Sequence, residues 1–358
     1  MQPNHRGPIQ GGAGARFAAG FTLLETLIAT TILLMMVFMV ASLSNSGSAA
    51  QRYAGRITRA TELGQDLVTE MRRHVSSSVR LFHDDVDGRG YLSILDLPFS
   101  GTRLSGRLPQ LRSMAIFERE TGAPITGNIL LFARHAWTDT YACLTSGNSY
   151  GLDVYRICCY YLRPDGDGLV PGSMIGLNLC RYTSEPMVAG EQIDAITDAG
   201  DRAEVLQSLL KGRTTGDIIA QPLPIHTEVQ VVWRVNGAPT TPGTLREIDP
   251  GSLTLSDNPL PPRPPGWLIA RDVPLSDDGL LQFRHFSVAT VWSPDSLGVG
   301  RFSQLATNGE GFPHGFEVQA IGPAAARQVL LRLTIVSTVL SSLPAWTTTE
   351  MIQDCRDI

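Results

Sequence analysis

The chain has 358 residues, 43% of them apolar and 7% aromatic, enough for a packed core and for one large domain or two small ones beyond an anchor. A formal net charge of −5 excludes a nucleic-acid-binding surface built on bulk positive charge. Five cysteines (Cys143, Cys158, Cys159, Cys180 and Cys355) are an odd number, so at least one has no intramolecular partner.

In chain order, residues 1–20 are Gly-rich and polar, with Arg6 and Arg16 as cations. Phe21 to Leu43 is a run of 23 residues with one charge, Glu25. As a helix at ~1.5 Å per residue it spans ~35 Å, enough to cross the hydrocarbon core of a bilayer. Arg6 and Arg16 place the first segment in the cytoplasm, and all that follows Leu43 outside. The cysteines would then face an oxidising compartment. A carboxylate in an apolar helix costs roughly 2.5–3.5 kcal/mol near the bilayer centre, so Glu25 marks a function.

Gly20-Phe21-Thr22-Leu23-Leu24-Glu25 resembles the prepilin-type N-terminal cleavage and methylation motif of type IV pilins and type II secretion pseudopilins, over about residues 14–50. The resemblance implies cleavage by a prepilin peptidase after Gly20 and methylation of the new N-terminal amine at Phe21. It implies that Glu25 neutralises the first amine of a neighbouring subunit, two charges that are costly singly and tolerable as a pair. The partners it implies are other pilins or pseudopilins, the peptidase, the inner-membrane assembly platform and the membrane itself. The location it implies is the inner membrane, single-pass with a periplasmic head, and then the pilus or pseudopilus. Two plainer readings compete. One is a signal anchor in which Glu25 is incidental. The other is a signal peptide cut after Ala50, against which stands an apolar region well beyond the usual 7–15 residues.

Ser44-Asn45-Ser46-Gly47-Ser48 are weak helix formers and suggest a bend or an exit from the membrane. From Ala49 to Phe82 apolar residues recur every three or four positions, through Tyr53, Ile57, Ala60, Leu63, Leu67, Met71, Val75, Val79 and Phe82. This is an amphipathic helix, and with the apolar run it makes one of about 60 residues.

Period-two patterning follows. Tyr91–Leu97, Ile129–Trp137, Val154–Leu162, Met174–Tyr182, Glu228–Val235, Leu280–Trp292 and Val329–Leu340 are predicted strands. Pro164-Asp165-Gly166-Asp167-Gly168 reads as a hairpin turn. Asp201–Leu210 reads as a helix with Asp201 as N-cap, Glu204 three residues on and Gly212 as its stop. Residues 236–266 form a long Pro/Gly loop. The expected fold class is α+β: a long N-terminal helix, transmembrane then amphipathic, packed on an antiparallel β-sheet head in a pilin-like arrangement. The expected segments are a leader 1–20, a membrane half 21–43, an amphipathic half 44–82 and a head 83–358. The size of the head and the late strand are similar to pseudopilin-J-like proteins and PilW-like minor pilins.

Several short motifs have a chemical and a plainer reading. Gly147-Asn148-Ser149-Tyr150-Gly151 matches a nucleophile-elbow pattern, but a strand rather than a helix follows it, so a turn fits better. His135 with Asp139 reads as a sheet-end pair. His226 and Glu228 share one strand face without a third metal ligand. Asp85 and Asp87, and Asp165 and Asp167, have the acidic start of a calcium loop without its closing Glu; Asp-Gly turn chemistry is the alternative. A hairpin centred near residue 169 sets Cys180 against either Cys158 or Cys159, and only one of them can form a cross-strand disulfide. No catalytic residue and no cofactor is expected. The functional expectation is a minor pilin or pseudopilin. The alternative is a single-pass membrane-anchored periplasmic enzyme or ligand-binding protein with a pilin-like N-terminus.

Overall fold

The computed structural model describes residues 22–95, 106–112, 126–164, 177–211, 228–239, 241, 243–256, 286–289, 315–337 and 345–357. By contacts the chain forms two units, Met1–Ala54 and Gly55–Ile358.

Helix α1 runs from Leu23 to Ser76, 54 residues. Up to residue 50 every described residue is exposed, including Leu27, Ile32, Leu33, Met36, Phe38 and Val40. Among the described residues α1 is the one helix long and apolar enough to cross a membrane. The helix is unbroken through Ser44–Ser48. Ser and Asn cost at most about 0.7 kcal/mol each and Gly47 about 1 kcal/mol, too little to break a long helix.

From residue 55 the helix has a buried stripe of Ala60, Gly64, Leu67, Val68, Met71, His74 and Val75. Ser77 then closes it, its amide and Oγ both donating to the His74 carbonyl at 3.2 and 2.8 Å. The expected helical end at Phe82 is therefore corrected. Ser78–Phe82 is strand β1, where Leu81 and Phe82 enter cores on opposite faces of the sheet.

Val86–Leu95 is helix α2, not the strand expected at Tyr91–Leu97. Asp85 Oδ1 accepts the Gly88 amide at 2.6 Å as N-cap, and Gly88, Tyr91, Ile94 and Leu95 bury one face at helical spacing. The head continues with β2 (Leu111–Arg112), β3 (Leu130–Ala142), β4 (Ser149–Pro164), β5 (Leu177–Thr183), β6 (Met187–Ala189), α3 (Gly190–Asp194) and α4 (Ala199–Lys211). It ends with β7 (Val231–Trp233), β8 (Leu245–Asp249), β9 (Thr254–Leu255), β10 (Phe286–Val288), β11 (Phe316–Ile321), β12 (Arg327–Ser337) and β13 (Trp346–Cys355). The class is α+β. Among the described residues pairing is mostly antiparallel, with two parallel contacts, β2–β11 and β6–β7.

One face of the sheet wraps the lower half of α1. Leu130 and Phe132 of β3, Cys158, Tyr160 and Leu162 of β4, and Leu331, Leu333 and Ile335 of β12 pack on Leu67, Met71 and Val75. Gly64 fits where a Cβ would stand 2.6 Å from Thr349 Oγ1 of β13, so the helix needs Gly there to approach this strand. The other face buries a second core around Trp233, Tyr155 and Tyr91, with Trp233 Nε1 donating to Tyr91 Oη at 2.9 Å. A third core lies beneath α3 and α4, where Ile193, Val205, Leu206 and Leu209 cover Leu152 and Val154 of β4.

Candidate functional site

At the start of α1, Glu25 Oε2 accepts from the Thr22 amide at 2.9 Å and from Thr22 Oγ1 at 3.0 Å. Thr22 Oγ1 in turn accepts from the Glu25 amide at 3.2 Å. This is a capping box: two N-terminal amides that helical geometry leaves without partners are satisfied reciprocally. Thr22-Leu23-Leu24-Glu25 has the S/T-x-x-E spacing that signals it, so the sequence contained this second role for Glu25. Both contacts use Oε2, and among the described residues Oε1 has no partner, so the carboxylate can still accept from an added cation. Glu25 is the one acidic or basic residue between Leu23 and Gln51. Thr26, Thr30 and Thr31 turn their hydroxyls onto the backbone carbonyls four residues earlier, so none of these donors is left unmet on the apolar stretch. Gly20 and Phe21 lie outside the described residues.

The calcium expectation divides. Asp165 and Asp167 lie outside the described residues. Asp85 caps α2 and also faces His83 at 3.4 Å, and Asp87 pairs with Arg80 Nη2 at 3.3 Å. Arg80 also donates to the Val235 and Gly237 carbonyls, both at 2.7 Å. Among the described residues no group of three or more His, Cys, Asp or Glu could hold a metal ion.

The hairpin register corrects the proposed disulfide geometry. Cys180 stands opposite Tyr161, while Cys158 faces Thr183 and Cys159 faces Tyr182. The hairpin is centred 1.5 residues later than expected, at (161 + 180)/2 = 170.5 rather than 169. Cys158 belongs to the core under α1, and Cys159 and Cys180 to the opposite core. All five cysteines are buried thiols. Burial pushes Cys143 up to about 11 and Cys355 up to about 12.

Gly147-Asn148-Ser149-Tyr150-Gly151 closes the β3–β4 hairpin, with Gly147 at φ 74° and the Cys143 amide donating to the Asn148 carbonyl at 2.8 Å. Its polar groups are directed at α4. Asn148 Nδ2 and Tyr150 Oη donate to Asp201 Oδ2 at 2.9 and 2.7 Å. Glu204 accepts the Leu144 amide at 2.7 Å and the Thr145 hydroxyl. Asp201 is therefore not the N-cap; Asp198 is, its Oδ1 accepting the Asp201 amide at 2.9 Å. Hydrogen bonds from Ser146, Tyr150 and Asn148 hold Asp201 below the usual carboxylate range. His135 meets Thr138 Oγ1 at 3.0 Å and Asp153 at 3.5 Å rather than Asp139. His226 lies outside the described residues, and Glu228 accepts from Gln230 at 3.3 Å.

Sequence reasoning missed a polar cluster under α1. His74 is buried, and its Nδ1 lies 2.6 Å from Tyr160 Oη. Burial lowers its pKa to about 4, with Arg134, Arg181 and Arg73 adding to the effect. Arg181 pairs with Glu70 of the helix. His74 lies on the apolar stripe at helical spacing, the one signal available in the sequence. No family model, no curated protein and no solved structure matches the chain.

Proposed function

We propose that the chain is a structural subunit of a type IV pilus or type II secretion pseudopilus, a minor pilin or pseudopilin. On this reading prepilin peptidase cuts after Gly20, Phe21 is methylated, and the head remains periplasmic while α1 is held in the inner membrane. Assembly removes the apolar half of α1 from lipid and packs it against the helices of other subunits. Glu25 Oε1 accepts the first amine of a neighbour while Oε2 keeps its capping contacts. The observation that supports this best is a single helix whose upper half is apolar and exposed on every side, with one carboxylate at its N-terminal turn and a sheet folded on its lower half. A head of about 275 residues suits a subunit present in few copies rather than one repeated along a filament.

Glu25→Ala tests the reading. The expected result is normal membrane insertion with loss of filament incorporation. Filaments that take up the variant at the wild-type level would overturn the assembly role. Glu25→Gln separates the two functions of the side chain: an amide oxygen can still accept in the capping box, but it has no charge for an incoming amine.

A further inference from the structure

Along the even-numbered face of β4, the side chains pass from the core under α1 (Cys158, Tyr160, Leu162) to the core under α4 (Leu152, Val154). Arg156 stands between the two cores. Directly opposite it on β3 is Arg134, in register across the antiparallel pair. Such residues have Cβ atoms about 4.5–5.5 Å apart, and like charges there are destabilising. Arginine does not shed its proton in a protein, so relief must come from a counter-charge or from water, and both side chains are only partly exposed.

The described residues do not supply one at contact distance. Arg181, the nearby cation on β5, is already paired with Glu70. Arg156 donates one Nη1 bond to the Ser184 carbonyl at 3.0 Å and lies 5.7 Å from the Trp137 ring centroid, which fixes the guanidinium without neutralising it. Glu185 favours the charged form of Arg156, yet burial and Arg134 act against it. Arg134 Nε is buried with no hydrogen-bond partner.

We propose that Arg134 and Arg156 form a binding site for a small oxyanion, a phosphate, sulfate or carboxylate group, in the gap between the two helix-covered cores. Its oxygens would bridge the two guanidinium groups and take the bond that Arg134 Nε lacks. A guanidinium donates through a planar fork of N–H groups, which suits a group with two or more oxygens better than a spherical halide. The site does not depend on the filament reading and would be present in a lone subunit.

The test is calorimetric titration of the full chain in detergent with inorganic phosphate, against chloride at equal ionic strength. Saturable phosphate binding at one site per chain is expected, with chloride inert. Arg134→Gln and Arg156→Gln should each weaken binding about tenfold or more. Arg134→Lys, which keeps the charge and loses the fork, should also bind more weakly than the wild type. Absence of saturable binding, an equal response to chloride, or unchanged affinity in Arg134→Gln and Arg156→Gln would overturn the proposal. If one Gln variant fails to fold, the other and Arg134→Lys still decide it.

Discussion

Helix α1 is one element in two different environments. From Leu23 to Ala50 its side chains are exposed and its apolar residues occupy every direction. From Gly55 to Ser76 a single stripe is buried, Ile57 and Leu63 are half-buried, and most of the rest is polar, with Arg72 reaching Gln353 of β13 at 3.0 Å. Backbone hydrogen bonding is the same in both halves, so what separates them is the solvent each half requires. A sheet supplies the dry surface for the second half, and among the described residues of its unit the first half has no such surface. Helix stability in the lower half therefore belongs to the fold of the head.

Substitutions in the two halves should diverge accordingly. Met71→Ala empties a position with no exposed surface, in contact with β3, β4 and β12, and should destabilise the head by about 2–5 kcal/mol in urea unfolding. Leu33→Ala, made in the upper half, should leave that unfolding midpoint unchanged. Equal losses for the two would erase the distinction between the halves.

Acidification sharpens it next. His74 is neutral in the fold and its pKa is lowered to about 4, so the unfolded chain, near 6.5, takes up the proton first. Stability is therefore full above about pH 6.5 and falls as the pH drops towards 4, by about 3 kcal/mol from this residue. Urea unfolding at pH 7.5 and 4.5 checks this: His74→Gln should lose markedly less stability over that interval than the wild type. An identical loss would remove His74 from the account.

Smaller effects lie at the periphery of the lower unit. Asp198→Ala removes the α4 N-cap and should cost about 1 kcal/mol. Arg59→Ala breaks an exposed pair with Glu62, at 73% and 54% side-chain exposure, and should fall within about 0.5 kcal/mol of wild type.

The sequence shows the long helix because both of its solvents leave a plain record: an unbroken apolar run, then a stripe at period three to four. Ala60, Leu67, Met71 and Val75 are buried as that stripe predicts. Val79 and Phe82 continue the same spacing by accident: the register shift between Ser78 and Arg80 lets both residues, three apart, meet the same core. Tyr91-Leu92-Ser93-Ile94-Leu95 has strand-forming residues, yet a cap at Asp85 and helical burial decide the matter. Strand β13 escapes notice for a different reason. The residues it turns towards α1 and the core include Thr347, Thr349, Met351 and Cys355, and threonine counts as polar in any hydropathy pattern although its methyl packs. Strand β11 is buried along its whole length, Glu317 and Gln319 included, so it shows no alternation. Of the candidate sites, Thr22 with Glu25 was fully legible as a spacing. The register that sets Cys180 against Tyr161, and the juxtaposition of Arg134 with Arg156, depend on strand pairings that no local pattern encodes.

The burial of all five thiols has a practical corollary. A maleimide offered to the native head meets sulfur that is shielded by packing and, at Cys143 and Cys355, held protonated far above neutral pH. Each adduct that does form must record a moment when a strand has come away. The rate of alkylation at each position is thus a ready clock for local opening, with Cys158 timing the side towards the helix and Cys159 the side away from it.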